Sequence, residues 1–80
     1  MKTITYTAAA DRFLFSQPES VRERIEDKIV RYALTGEGDI RALRGSNELR
    51  LRVGSYRVVF TETKIVLSVE NIGDRSKIYI

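Results

Sequence analysis

The chain has 80 residues, no cysteine and no histidine, and carries a net charge of +3 from 14 basic and 11 acidic side chains. This length corresponds to one domain, which we assign to residues 1–80. The missing residue types exclude a disulfide framework, a thiolate metal site and catalysis by a serine–histidine pair, so we expect neither a metal nor a cofactor.

The first half of the chain predicts one strand followed by two helices. Threonine, isoleucine and tyrosine favour an extended strand over residues 2–7, and residues 8–15 are typical of a short helix. Pro18 suits the start of a second helix, because its missing N–H needs no partner in the first turn. Apolar residues then recur at helical spacing: Val21, Ile25, Ile29 and Tyr32. We expect this helix over residues 18–34, with Gly36 as a left-handed C-terminal cap.

The second half of the chain predicts a run of antiparallel strands. Residues 40–47 show no regular pattern, and we expect them to be irregular. Three extended segments follow, at residues 48–53, 56–62 and 64–71, and residues 77–80 are predicted as one more short strand. The order of elements indicates an α+β fold, in which the two helices pack on one face of a mainly antiparallel sheet.

The sequence RLRVGSYRVVF, residues 50–60, predicts a β-hairpin in which two arginines face each other. Gly54-Ser55 between alternating strands is typical of a two-residue type II′ turn, and this register pairs Arg52 with Arg57. Like charges directly opposite each other cost stability. Long arginine side chains can splay apart into water, or their guanidinium groups can converge on a phosphate. We favour the phosphate, because nothing in folding requires this pair.

Positive charge is concentrated around this hairpin. Between residues 41 and 57 the single acid Glu48 accompanies five arginines: Arg41, Arg44, Arg50, Arg52 and Arg57. Such a concentration of charge attracts polyanions, although arginines that only keep a small sheet soluble are equally compatible with the composition. We predict four of them as phosphate-binding or RNA-binding residues: Arg44, Arg50, Arg52 and Arg57.

Several short motifs follow one another from residue 43 onward. They are Leu43-Arg44-Gly45, the strand and hairpin of residues 49–60, Ile72-Gly73-Asp74-Arg75, and Ile78-Tyr79. In these residues, and in the order of elements over nearly the whole chain, the protein resembles the RelE/ParE superfamily of bacterial toxins. The resemblance implies a β-α-α-β-β-β topology with an optional last strand. It also implies a toxin that a cognate antitoxin holds inactive in a hetero-oligomer.

The resemblance also implies a set of site residues. RelE-like members cleave messenger RNA in the ribosomal decoding site, with the substrate 2′-hydroxyl as nucleophile and no metal. Arg50, Arg57, Arg75 and Tyr79 fall on the basic and tyrosine active-site positions, whereas Glu48 stands where some RelE enzymes carry a lysine. Arginine stays protonated and cannot be the base, but Arg57 and Arg75 can stabilise a phosphorane. Tyr79 can protonate the leaving oxygen or stack on a base, and Glu48 can act as the base or neutralise Arg50.

The sequence leaves three functions open. A RelE-like nuclease would act on the ribosome and messenger RNA, and we prefer this function. A ParE-like toxin would inhibit DNA gyrase without cleaving nucleic acid, which is compatible with Glu48. An inert relative would bind only the antitoxin, which in every case is expected to lay an acidic segment across the basic face. The polar N-terminus and the lack of a long apolar run indicate a cytoplasmic protein without a membrane segment.

Overall fold

The computed structural model describes residues 1–74 as two helices on one five-stranded sheet. Its elements in chain order are β1 Thr3–Tyr6, α1 Ala8–Phe15, α2 Glu19–Thr35, β2 Asp39–Ala42, β3 Leu49–Val53, β4 Tyr56–Glu62 and β5 Val66–Asp74. The strand order is β1-β5-β4-β3-β2, and only the β1–β5 pair is parallel. The predicted α+β fold with a mainly antiparallel sheet is therefore confirmed. Within residues 1–74, no helix has the length and apolar character needed to cross a membrane.

The ends of the helices follow from local sequence. The Thr7 hydroxyl accepts a hydrogen bond from the Ala10 N–H at 3.2 Å and donates one to the Glu70 carbonyl at 2.6 Å, so it both caps α1 and fixes α1 to β5. Helix α2 begins one residue later than predicted, with Pro18 at the N-cap position. It ends at Thr35, one residue later than predicted, but the predicted cap is confirmed, because Gly36 has a φ of 78° and its N–H donates to the Tyr32 carbonyl.

The prediction of an irregular segment over residues 40–47 is wrong for its first part. Strand β2 pairs antiparallel with β3 over its whole length, and a turn joins them in which the Ser46 N–H donates to the Leu43 carbonyl at 3.2 Å. Gly45 adopts a φ of 76° in this turn. Only Ile40 of the four β2 residues is partly buried, because β2 lies at the edge of the sheet. Such a strand lacks the apolar alternation that marks a strand in sequence.

Strand β5 lies between β1 and β4, as its apolar character on both faces predicted, but it occupies Val66–Asp74 rather than residues 64–71. A bulge interrupts its pairing with β4, since Val59 pairs with Asn71 while the next residue, Phe60, pairs with Val69. Beyond the bulge the strand continues for several residues. The strand predicted over residues 77–80 lies outside the described residues.

The core lies between the helices and one face of the sheet. It is formed by Ala10, Leu14, Ile25, Ile29, Leu51, Val53, Val58, Phe60, Leu67, Val69 and Ile72. Two edge-to-face ring pairs add to it, Tyr32 with Phe60 at 5.2 Å between centroids and Phe13 with Tyr56 at 6.0 Å. Because alternate residues of a strand point to opposite faces, burying these side chains turns the arginines of β3 and β4 to the other face.

A polar cluster at the C-terminal end of β4 joins β4 to α2 and to Lys2, the residue before β1. The Glu62 carboxylate accepts hydrogen bonds from the Lys2 ammonium and from the Tyr32 hydroxyl, the latter at 2.5 Å. Burial, the hydrogen bond to Glu62 and the charge of Glu62 together raise the pKa of Tyr32 to about 12. Burial also acts to raise the pKa of Glu62, but the two hydrogen bonds and the Lys2 charge outweigh it and lower that pKa below its ordinary value.

We expect Tyr32→Phe to lower the free energy of unfolding by about 1 kcal/mol at pH 7, because Glu62 loses a hydrogen-bond donor. A tyrosine whose folded pKa is raised contributes stability that is complete below pH of about 10 and is lost as the pH rises toward the folded value. Urea unfolding at pH 9 and pH 11 should therefore show a steeper loss of stability in the wild type than in Tyr32→Phe. Tyr56→Phe is the matched control and should keep the wild-type slope. Equal slopes in the wild type and Tyr32→Phe would contradict this assignment.

Candidate anion-binding site

The hairpin of β3 and β4 has the predicted register. Arg52 pairs with Arg57 and Arg50 with Val59, and the two strands join at Gly54-Ser55. Gly54 has a φ of 59° while Ser55 has no positive φ, as a type II′ turn requires. A Cβ on Gly54 would lie 2.6 Å from a guanidinium nitrogen of Arg24, so α2 reaches the turn from the core side.

Strand β2 brings a further arginine to the same face. Arg41 pairs directly with Arg50, and directly paired residues of antiparallel strands point to the same side of the sheet. The face opposite the core therefore carries two facing pairs, which we call the arginine face: Arg41 with Arg50, and Arg52 with Arg57. Arg41 was not among the predicted binding residues. Gly45, which adopts a left-handed φ in the turn before β3, is the residue in the sequence from which this hairpin could have been predicted.

The four arginines have different surroundings. Arg50 and Arg57 are partly buried, whereas Arg41 and Arg52 are exposed. Within residues 1–74, neither Arg41 nor Arg52 makes a hydrogen bond or an ion pair with another side chain. Asp39 pairs with Arg52 across β2 and β3, so an acidic residue stands next to one of the two exposed arginines. The positive potential is therefore uneven across the face.

Glu48 and Arg44 lie toward the β2–β3 turn. Glu48 immediately precedes β3, and the alternation of the strand places it on the side of Arg50, about 7 Å away along the chain. It is about 14 Å along the strand from Arg52. Its carboxylate forms no ion pair within the described part of the chain. Arg44 is exposed in the turn itself, at the opposite end of β3 from Gly54. The structure thus groups both residues with Arg50 rather than with the Arg52–Arg57 pair.

The late motif is described only in part. Gly73 pairs with Arg57 and Asp74 with Tyr56, so β5 ends beside the hairpin end of the arginine face. Ile72, Gly73 and Asp74 belong to a strand, which corrects the prediction that β5 stops before them. Arg75 and Tyr79, the other two predicted catalytic residues, lie outside the described residues.

A shallow depression of about 450 Å³ lies at the other end of β4. It is lined by Asn47, Leu49, Thr61, Glu62, Thr63, Val66 and Ser68. None of these side chains is cationic, so the depression has no positive charge to bind an anion. The arginine face, with guanidinium groups that present planar forks of N–H donors, is the better candidate for phosphate binding.

Comparison with known proteins supports the fold through structure rather than sequence. No family model matches the chain, and no curated protein matches it. The chain is similar to the crystal structure of a RelB–RelE antitoxin–toxin complex from Methanococcus jannaschii, with 24% identity, 94% of each chain covered and a TM-score of 0.75. The isolated E. coli RelE toxin is similar with 22% identity, 99% of this chain and 92% of that chain covered, and a TM-score of 0.79.

A third similar structure carries the name ParE, one of the two subfamilies that the sequence had left open. It is a YoeB/ParE toxin from Agrobacterium tumefaciens, with 20% identity, 94% of this chain and 99% of that chain covered, and a TM-score of 0.74. At these low sequence identities, the similarity shows a shared arrangement of helices and strands. The chain has the fold of the RelE-like toxins.

Proposed function

We propose that the protein is the toxin of a type II toxin–antitoxin module and that it is a ribosome-dependent messenger RNA endonuclease. The observation that carries the proposal is the set of facing arginines on a RelE-like sheet, opposite the core. Facing like charges cost folding stability and become favourable when an anion lies between them. In the toxin, RNA phosphates bound between the facing arginines would offset this cost.

The chemistry that we propose needs no metal. The 2′-hydroxyl of the substrate attacks the adjacent phosphorus, a 2′,3′-cyclic phosphate forms, and the bond to the 5′-oxygen breaks. Arg50 and Arg57 are diagonal neighbours across β3 and β4, and we assign them to the scissile phosphate and its phosphorane charge. Glu48, next to Arg50, accepts the 2′-hydroxyl proton. By resemblance to RelE, Arg75 adds positive charge and Tyr79 protonates the leaving oxygen.

We infer dependence on the ribosome because the described surface lacks contacts that would orient an RNA strand. The arginine face lies on a sheet and provides charge, but orienting a flexible RNA strand for in-line attack requires further contacts. With no histidine in the chain, acid–base catalysis relies on groups whose ordinary pKa values lie far from 7. A substrate already positioned in the decoding site offsets both deficits.

We also propose a cognate antitoxin as the partner that blocks this face in the cytoplasm. The similar structures from Methanococcus jannaschii and E. coli include RelB–RelE complexes. An acidic antitoxin segment would pair with the arginine face. Val30 and Leu34 lie one turn apart on α2 with 36% and 62% of their surfaces exposed, and they would anchor apolar residues of the antitoxin.

Primer extension on a translated message tests the nuclease directly. With the purified wild-type protein, we expect cuts at codons in the ribosomal A site. The same message without ribosomes should stay intact and serves as the control. An uncut message in the presence of translating ribosomes would overturn the proposal.

A ParE-like gyrase inhibitor is the second candidate. Two observations favour it, namely Glu48 at a position where some RelE enzymes carry lysine and the similarity to a toxin named YoeB/ParE. A supercoiling assay with purified gyrase separates the candidates, because only this function predicts loss of supercoiling without ribosomes. A protein inactive in both assays, yet bound by its antitoxin, would be the inert relative.

A further inference from the structure

The two rows of side chains that cross the arginine face differ in charge. One row runs from Arg41 through Arg50 and Val59 to Asn71. It contains two arginines and no acid. The other row runs from Asp39 through Arg52 and Arg57 to Gly73, and its carboxylate stands directly beside an arginine. In the first row no carboxylate lies directly opposite an arginine, and Glu48, the nearest acid along β3, is about 7 Å from Arg50. An anion is therefore repelled less at the Arg41–Arg50 pair than at the Asp39–Arg52 pair.

The spacing of the strands separates Arg41 from Arg57 on the arginine face. Strands β2 and β4 are separated by two strand spacings, about 10 Å, and the two rows lie about 7 Å apart along the strands. Arg50 lies between these two arginines on β3. A ligand with several phosphates, such as a single-stranded nucleic acid, can contact all three arginines with different phosphates.

We propose that Arg41, together with Arg50, forms a second phosphate subsite that holds the RNA phosphate next to the scissile one. The RNA strand then crosses the sheet diagonally from β4 toward the β2 edge and passes over the Arg41–Arg50 pair rather than the Asp39–Arg52 pair. This inference rests on the proposed function in taking RNA as the ligand. It makes Arg41, which was not among the predicted binding residues, a larger contributor to RNA binding than Arg52.

Salt-dependent binding of a ten-nucleotide 2′-deoxy oligonucleotide tests the subsite, because this probe lacks the nucleophile and cannot be cleaved. Arg41→Ala removes one phosphate contact, so the slope of log K against log salt should become shallower by about 0.7. Affinity should fall about fivefold to tenfold. Arg12→Ala, which removes an exposed arginine from α1 on the helix side, should leave both the slope and the affinity unchanged. Asp39→Asn should raise the affinity, because it removes a repulsive charge.

Equal effects of Arg41→Ala and Arg12→Ala would overturn the subsite, as would a wild type that does not bind the oligonucleotide. The outcome is separable from that of the nuclease proposal. An intact message on ribosomes with a shallower slope for Arg41→Ala would retain the subsite and reject the nuclease. A cut message with an unchanged slope would do the reverse.

Discussion

Replacing Arg57 with alanine should reduce messenger RNA cleavage on the ribosome by about a hundredfold or more. Arg57 is partly buried, faces Arg52, and is assigned to the phosphorane charge, where one lost donor typically costs two to three orders of magnitude in rate. The fraction of message cut over time, measured by primer extension, gives the rate. Arg57→Lys should fall between the wild type and alanine, since lysine keeps the charge and loses the bidentate geometry.

Arg12→Ala is the control for a general loss of positive charge, and we expect it to cleave at the wild-type rate. Urea unfolding of Arg57→Ala should be measured alongside, so that a loss of fold is not taken for a loss of catalysis. A folded Arg57→Ala protein that cuts at the wild-type rate would remove Arg57 from the active site.

Replacing Phe60 with alanine should lower the free energy of unfolding by about 3–5 kcal/mol. The Phe60 side chain is 1% exposed and packs edge to face against Tyr32, so its removal leaves a cavity between α2 and the sheet. Domains typically have a total stability of about 5–15 kcal/mol, so the variant should lose a large part of its stability. Circular dichroism during urea titration measures the loss.

Ile65→Ala is the matched control for this experiment. It removes a large apolar side chain that is 73% exposed, and the expected change is within about 0.5 kcal/mol. A loss for Phe60→Ala no larger than that of the control would contradict the position of the core described above.

The structural features that neighbouring residues determine were predicted most reliably from the sequence. Gly54 and Ser55 determine the turn, and the turn determines that Arg52 faces Arg57, so this part of the site could be predicted without knowledge of the rest of the sheet. The same holds for the end of α2, which Gly36 determines through its left-handed backbone. In both places a single glycine conformation excludes the alternatives.

Features that depend on distant partners were missed. Strand β2 forms because it pairs with β3. Its own four residues show little alternation of apolar and polar side chains. Strand β5 was predicted too short, because the bulge near Glu70 leaves Val69 and Ile72 both buried although they are three residues apart. A prediction that assumes strict alternation of buried and exposed residues fails at a bulge. Missing β2 also meant missing Arg41, since only the β2–β3 register places it beside Arg50.

The parallel pairing of β1 with β5 has a consequence for folding during synthesis. Thr7, which follows β1, and Glu70 of β5 are joined by a hydrogen bond although 63 residues separate them in the chain. During synthesis the first strand leaves the ribosome long before its partner exists, whereas β3 and β4 pair across a two-residue turn. The nascent chain therefore cannot join β1 to the rest of this sheet until β5 has been translated.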